Sequence, residues 1–422
     1  MFKFIHTADI HLDSPLKGLE AHDDAPVDEI RGASRRAFDN LIDLALEEAV
    51  DFVLIAGDLY DGDWKDYNTG LFFAGRMGRL SDAGIRVFIV SGNHDAAGRI
   101  TRTMPLPETV TLFPTKKAKS VPLDDLGVVV HGRSYASPTV TENLAARYPR
   151  PEAGYFNIGL LHTALTGRSG HAPYAPCTLD DLYTKGYDYW ALGHIHKREI
   201  VSENPWVVFP GNIQGRHIRE TGPRGATLVT VEEDRIIAVE ERELDVLRWN
   251  ECRVDLSSCN TPDSVYEQVR EAFEQEREQA DGRPLALRLI LTGPSPVHAR
   301  LMERTAGWTE EFRGIAEAIG SIWLEKVQFD TRRAISIGEM FDRNTPLAGL
   351  VQSIEQLELD NDTLLEFVPE LSDLKRKLPA EIYHDDDNPF AESGQSSMNA
   401  LRTQVRELLM ARLLQHESST CG

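Results

Sequence analysis

The stretch that decides the fold is Phe52-Val53-Leu54-Ile55-Ala56-Gly57-Asp58-Leu59-Tyr60-Asp61. Its short apolar run, β-branched in part, reads as a buried strand that stops at a Gly-Asp pair. Glycine there lets the backbone approach a ligand closely, and the carboxylate follows at the mouth of the sheet. A strand ending in Gly-Asp is common and by itself marks only a turn. Four more strands end in the same manner. Asp9 and His11 follow Phe4-Ile5, and Asn93 and His94 follow Val87-Phe88-Ile89-Val90. His162 follows Ile158-Gly159-Leu160-Leu161, and His194 and His196 follow Trp190-Ala191-Leu192. Five strand ends carrying Asp, Asn or His, and none carrying Cys, describe a site for two divalent metals with Asp58 between them.

Two cations held close together clamp an in-line displacement at phosphorus, one supplying hydroxide and both neutralising the phosphate oxygens. Such a pair needs a bridging carboxylate, for which Asp58 is the candidate. Hard and borderline donors without thiolate favour Mn²⁺ ahead of Fe²⁺ and Zn²⁺. The leaving alkoxide needs a proton, and an imidazole beside a ligand is placed to give it; His94, next to Asn93, fits.

Working outward, residues 1–245 alternate short strands with amphipathic helical stretches. Ala37, Phe38, Leu41, Leu44 and Ala45 recur at helical spacing between Ser34 and Val50. A second helical stretch, Leu71 to Ala83, is closed by Gly84. With strands at 52–56 and 86–90 this βαβαβ order predicts an α/β layered sheet with helices outside, its strand ends sharing one rim. Further strands are expected at 128–131, 156–161, 188–192 and 206–209, then a hairpin at 226–231 and 235–241. Beyond a boundary at 246–250, strands at 251–256, 285–291 and 321–329 alternate with helical stretches at 262–280 and 296–319. That pattern is a small α+β domain over 250–340. A helical segment (341–383), a polar acidic linker (384–397) and an amphipathic terminal helix (398–416) complete the expectation.

The chain has 422 residues, and its hydrophobic fraction of 41% suffices for a sizeable core in more than one domain. Four cysteines without a CxxC pair argue against a zinc ribbon or a disulfide framework and fit a reducing compartment. No signal peptide and no bilayer-spanning stretch are read, so a cytoplasmic, soluble protein is expected. The formal net charge of −22 disfavours sequence-independent binding to a phosphate polymer. Lys197 and Arg198 after the last block, and Arg216, His217, Arg219 and Arg224 on the next loop, partly offset it. They form either a phosphate-tracking patch or a solvated loop.

Asp9-x-His11, Gly57-Asp58-x-x-Asp61, Gly92-Asn93-His94-Asp95, His162 and Gly193-His194-Ile195-His196 together resemble the signature of the calcineurin-type metallophosphoesterases. More narrowly, His11-Leu12-Asp13-Ser14-Pro15, the Gly193–Lys197 block and Pro210-Gly211-Asn212-Ile213-Gln214-Gly215-Arg216 are similar to the YhaO branch of the SbcD-type DNA repair exonucleases. The resemblance implies a four-layer αββα sandwich with an α+β capping domain and a helical C-terminal segment. It implies one metal on Asp9, His11, Asp58 and His196 and the other on Asp58, Asn93, His162 and His194. It also implies His94 as general acid, DNA as substrate, and an SMC-like coiled-coil ATPase as partner, on which the terminal helix would dock unless it packs on its own body; the oligomeric state stays open, a homodimer among the alternatives. Some nuclease relatives have a second histidine where this chain has Asp61.

Asp61 and Asp95 read as carboxylates that orient imidazoles or loop amides, with turn capping an equal alternative for Asp95. Lys197, Arg216 and His217 are the candidate substrate contacts. His131 reads as a core histidine, His6 carries no role, His171 and Tyr174 lie on a loop that either faces substrate or does not, and Cys252 and Cys259 read as small buried hydrophobes. Three functions compete: an Mn²⁺-dependent DNA exonuclease, a phosphoesterase of nucleotides or phosphoproteins, and a scaffold with an idle metal site.

Overall fold

The computed structural model describes residues 1–14, 32–61, 67–97, 105–166 and 174–334. The segments expected at 341–383, 384–397 and 398–416, and His171, lie outside these residues. The chain begins β1 (Phe2–Thr7), α1 (Ala33–Glu47), β2 (Phe52–Ile55), α2 (Tyr67–Asp82) and β3 (Arg86–Ile89). It continues through α3 (Asn93–Ala97), β4 (Val110–Leu112), β5 (Lys119–Leu123), β6 (Val128–Gly132), β7 (Phe156–His162) and α4 (Leu179–Tyr183). Next come β8 (Tyr189–Gly193), β9 (Glu199–Glu203), β10 (Trp206–Phe209), β11 (Gly225–Glu232) and β12 (Arg235–Glu243).

Among the described residues these strands make two six-stranded sheets, ordered β12-β11-β1-β2-β3-β4 and β5-β6-β7-β8-β10-β9. In the first, β1 to β4 run parallel, in the second β6, β7, β8 and β10 do, and the remaining strands pair antiparallel. Side chains alternate across each strand, which sorts the core into layers. Ile5, Val53, Ile55, Val87 and Ile89 face Phe38, Leu41 and Ala45 of α1 and Phe73, Met77 and Leu80 of α2. Phe4, Phe52, Leu54 and Phe88 face the other way, into Val130, Ile158, Leu160, Tyr189 and Ala191 of the second sheet. The Phe4 and Phe52 rings stack at 5.0 Å, and each buried ring contributes roughly 1.5–3 kcal/mol. The far face of the second sheet (Leu161, Trp190, Leu192, Val207, Phe209) packs on Tyr135, Leu144, Tyr148 and Leu182. The result is the αββα sandwich, with a thin fourth layer made of loops and the short α4.

The expected strand order holds, with three added strands and the short helices α3 and α4. Strands β4, β5 and β9 carried too little apolar alternation to read: β4 has three residues, and β5 is an edge strand containing Pro122. The site strands also divide between two sheets, so the shared rim belongs to the sandwich.

The remainder contains β13 (Arg248–Asp255), α5 (Pro262–Gln279), β14 (Leu285–Ser295), α6 (His298–Glu303), α7 (Thr305–Ile319) and β15 (Ile322–Arg333), with sheet order β13-β14-β15. The single helical stretch expected at 296–319 is two helices, broken at Arg304, whose backbone leaves the helical region (φ −139°, ψ 43°). Two compact units result: one of Met1–Glu251, Glu276–Arg288 and Gly320–Glu325, the other of Cys252–Gln275, Leu289–Ile319 and the residues from Lys326. In the second, Val265, Val269 and Phe273 of α5 and Trp308 and Phe312 of α7 are buried, with Tyr266 against Trp308 at 4.9 Å. Among the described residues no helix is long and apolar enough to cross a membrane.

Candidate metal centre

The site gathers where β1, β2 and β3 of one sheet and β7 and β8 of the other end. Past β1 the chain keeps pairing with the chain past β2: Asp9 N–H donates to Gly57 O at 3.0 Å and His11 N–H to Asp58 O at 3.0 Å. Following both loops requires left-handed backbone at Asp9 (φ 50°), His11 (45°) and Asp58 (52°), and His194 stands at φ 105°. Such conformations cost non-glycine residues roughly 1–3 kcal/mol each and persist where the surroundings over-determine them. Gly193 makes the two sheets converge, since a Cβ there would lie 2.0 Å from Ala56 O. At Gly92 a Cβ would lie 2.2 Å from Asp58 Oδ1, so the third block closes directly onto that carboxylate.

Three groups of side chains bring potential metal-ligating atoms within 4.8 Å of one another: Asp9, His11 and His196; Asp58, His162 and His194; and His11, Asp61 and His94. Asn93 joins the second, with its Oδ1 3.0 Å from His162 Nε2. Thus every residue expected at the metals falls in one place. The first group holds three of the four residues implied for one metal, without Asp58, and the second, with Asn93, holds the four implied for the other.

Proton accounting shows that the donors fit cations. His162 Nδ1 lies 2.9 Å from Ala56 O, a carbonyl that can only accept, so Nδ1 carries the proton. Its Nε2 lone pair then faces Asn93 Oδ1 and, at 3.5 Å, Asp58 Oδ2, with no proton between them. His196 likewise donates from Nδ1 to Glu220 Oε1 at 2.7 Å, which leaves its Nε2 lone pair 3.3 Å from His11 Nε2. His11 Nδ1 is buried without a hydrogen-bond partner. Burial holds His162 down to about 3 and His11 well below the usual imidazole range, so both are neutral, as ligands must be. Burial pushes the Asp9 and Asp58 carboxyls upward, and for Asp9 the neighbouring Asp58 adds to it. Buried, converging lone pairs and carboxylates of this kind are stabilised by bound cations.

Around these donors sit groups that hold them. Asp9 accepts the His194 amide on both oxygens (3.1 and 3.0 Å), and Asp58 Oδ1 accepts the His94 amide at 3.0 Å. Asp95 accepts three amides, from Leu59 (3.2 Å), Tyr60 (2.9 Å) and Gly92 (3.1 Å), and so orients loop amides and touches no imidazole among the described hydrogen bonds. Asp61 takes His94 Nδ1 at 2.6 Å and Ser14 Oγ at 2.5 Å. Burial would raise Asp61, but these bonds outweigh it and hold the carboxyl at about 2. The Asp61 hydrogen bond in turn raises His94 above the usual imidazole range.

Glu220 escaped sequence reading. Its buried carboxylate serves His196, Arg216 Nη2 (3.2 Å), the Arg216 amide (2.8 Å) and Asn212 Nδ2 (2.9 Å). It lies in a loop with no strand or helix period, and the available signal was its spacing of four from Arg216. Of the expected substrate contacts, Lys197 is exposed, His217 is about half exposed (53%), and Arg216 reaches within 4.0 Å of Asp61. Arg224 fits neither reading left open for its loop, phosphate tracking or solvation. It turns inward, donating to His196 O, Asn212 Oδ1 and Thr221 O.

The remaining candidates are structural. His131 is buried between Ser120 Oγ (2.8 Å) and Asn157 Oδ1 (3.0 Å), and His6 between Tyr189 Oη (3.0 Å) and Leu192 O (3.1 Å). Cys252 and Cys259 are buried. Tyr174 lies against the His194 ring at 5.8 Å.

Known proteins match this arrangement. The family model described as calcineurin-like phosphoesterase covers residues 2–198, and that described as the middle domain of metallophosphoesterase YhaO covers residues 249–332. The chain is 35% identical over 367 residues to the uncharacterized metallophosphoesterase YhaO of Bacillus subtilis, spanning 85% of this chain and 88% of that one. It is 25% identical over 307 residues to the DNA double-strand break repair protein Mre11 of Sulfurisphaera tokodaii, spanning 69% and 74% of the two chains. The chain belongs to the calcineurin-like metallophosphoesterases, in the family of YhaO, and is a hydrolase acting on phosphoester bonds.

Proposed function

We propose that this metallophosphoesterase is an Mn²⁺-dependent DNA nuclease that removes nucleotides from strand ends. The observation that carries the reading is the placement of the imidazole–carboxylate pair His94–Asp61 beside two converging ligand groups that share one rim. Asp9, His11, Asp58 and His196 would hold one metal, and Asp58, Asn93, His162 and His194 the other. Bound there, the metals supply a nucleophile at neutral pH and neutralise charge on the phosphate. Donor chemistry of Asp, Asn and His without Cys supports Mn²⁺ over softer ions.

The chain's own groups do the rest. Asp61 fixes His94 through Nδ1 and favours its protonated form, leaving Nε2–H to deliver a proton to the leaving oxygen of the ester. His94 has 40% of its side chain exposed, so substrate can reach it. Arg216, Lys197 and His217 neutralise phosphate on the His196 side. The similarity to a protein named for DNA double-strand break repair supports DNA as the polymer. A homodimer and a coiled-coil ATPase partner are part of the same proposal; the ATPase would supply DNA affinity that a chain of net charge −22 lacks.

The deciding assay is release of nucleotides from linear duplex DNA with Mn²⁺, set against hydrolysis of cyclic nucleotides and mononucleotides. Turnover of the duplex is expected. Turnover of the small esters alone would establish the nucleotide phosphoesterase instead.

A further inference from the structure

Beside His196 lies a cleft of about 730 Å³ lined by Lys197, Arg198, Arg216, His217, Arg219 and Arg224. We infer that this cleft holds a second phosphate of the substrate, one nucleotide away from the bond being cut. A substrate with two phosphates is then held at two points, and a phosphomonoester at one. This rests on the proposed nuclease reading above and adds a second phosphate subsite to it.

Charge is the first reason. The lining has five Lys and Arg (197, 198, 216, 219, 224) against two Glu (220, 241), an excess of three positive charges in a chain of net −22. A local excess against the overall field marks a place selected for anions. Glu220, already counted in that balance, ion-pairs with Arg216 at 3.2 Å. Arg198 lies 3.7 Å from Glu241, while Lys197 and Arg219 are exposed to solvent.

The second reason is construction. Arg224 ties the His196 carbonyl to Asn212 and Thr221, which fixes the floor. Gly211 (φ 78°) brings that floor close, since a Cβ there would lie 2.9 Å from His196 O and from Arg198 N. The third reason is size and position. The volume suits a nucleotide-sized ligand and far exceeds one phosphate. One wall is His196, whose Nε2 belongs to the metal group, so a phosphate in the cleft is continuous with one at the metals.

The test uses the full chain loaded with Mn²⁺ and calorimetric titration with AMP and with adenosine 3′,5′-bisphosphate. The bisphosphate should bind at least about tenfold more tightly, the weight of one charge-assisted hydrogen bond. In the double variant Lys197→Ala, Arg219→Ala the gap should shrink to under about threefold, with an unchanged circular dichroism spectrum. Equal affinities in the parent protein, or a gap that survives the double substitution, would overturn the cleft assignment. Hydrolysis of bis(p-nitrophenyl) phosphate separates the two levels. If it proceeds while the affinities are equal, the cleft assignment alone fails; if it is absent and neither nucleotide binds, the metal-centre reading fails and takes the cleft with it.

Discussion

Glu220 Oε1 accepts the Nδ1 proton of His196 at 2.7 Å, while Glu220 Oε2 takes the Arg216 amide at 2.8 Å. One buried carboxylate therefore sets the tautomer of a metal-facing imidazole and the position of the arginine beside it. Partners of this kind typically govern metal affinity by 10- to 100-fold. Glu220→Gln should weaken Mn²⁺ binding by roughly that range in a calorimetric titration. Affinity equal to the parent's would mean that His196 is held by other contacts.

The Asp61–His94 pair predicts a pH effect with a definite sign. Asp61, held at about 2, is ionised throughout the working range and raises His94. A general acid works protonated, so kcat/KM should fall as pH rises through the His94 pKa. Asp61→Asn removes the support and lowers that pKa, moving the falling limb to lower pH. A limb that stays in place would assign it to another group.

His94 also stands in a ligating group with His11 and Asp61, so its role needs separating from metal binding. His94→Ala should lower kcat by about 10²- to 10⁴-fold while Mn²⁺ content stays at the parent level. Metal lost together with activity would make His94 a ligand.

Gly92 is where the third block meets Asp58. An alanine Cβ would sit 2.2 Å from Asp58 Oδ1 and 2.8 Å from His162 Cε1. Gly92→Ala should displace both ligands and abolish metal binding, at a folding cost of about 1–3 kcal/mol. Normal metal content in this variant would show that the loops yield more than their hydrogen bonds suggest.

What could be read from sequence follows from what repeats in it. The five strand ends were legible because each joined an apolar run to Asp, Asn or His, and β1, β2, β3, β7 and β8 deliver those ends to one rim. The helices were legible because α1 and α2 bury stripes such as Ala37, Phe38, Leu41 and Ala45. Edge strands β5 and β9 were not, since an edge has one hydrogen-bonded neighbour and tolerates Pro122 or Glu199 and Glu203. Glu220 and Arg224 were misjudged for a different reason. Burial of a charged residue in an irregular loop depends on its partners, and His196, which meets Glu220 and Arg224 from 24 and 28 residues away, leaves no periodic trace of that pairing.

Manganese anomalous diffraction from crystals of the full chain tests the metal assignment most directly. Two peaks about 3.5–4 Å apart are predicted, one toward Asp9, His11 and His196, one toward Asn93, His162 and His194, with Asp58 touching both. A single peak, or two peaks with Asp58 on only one of them, would contradict the two-metal centre.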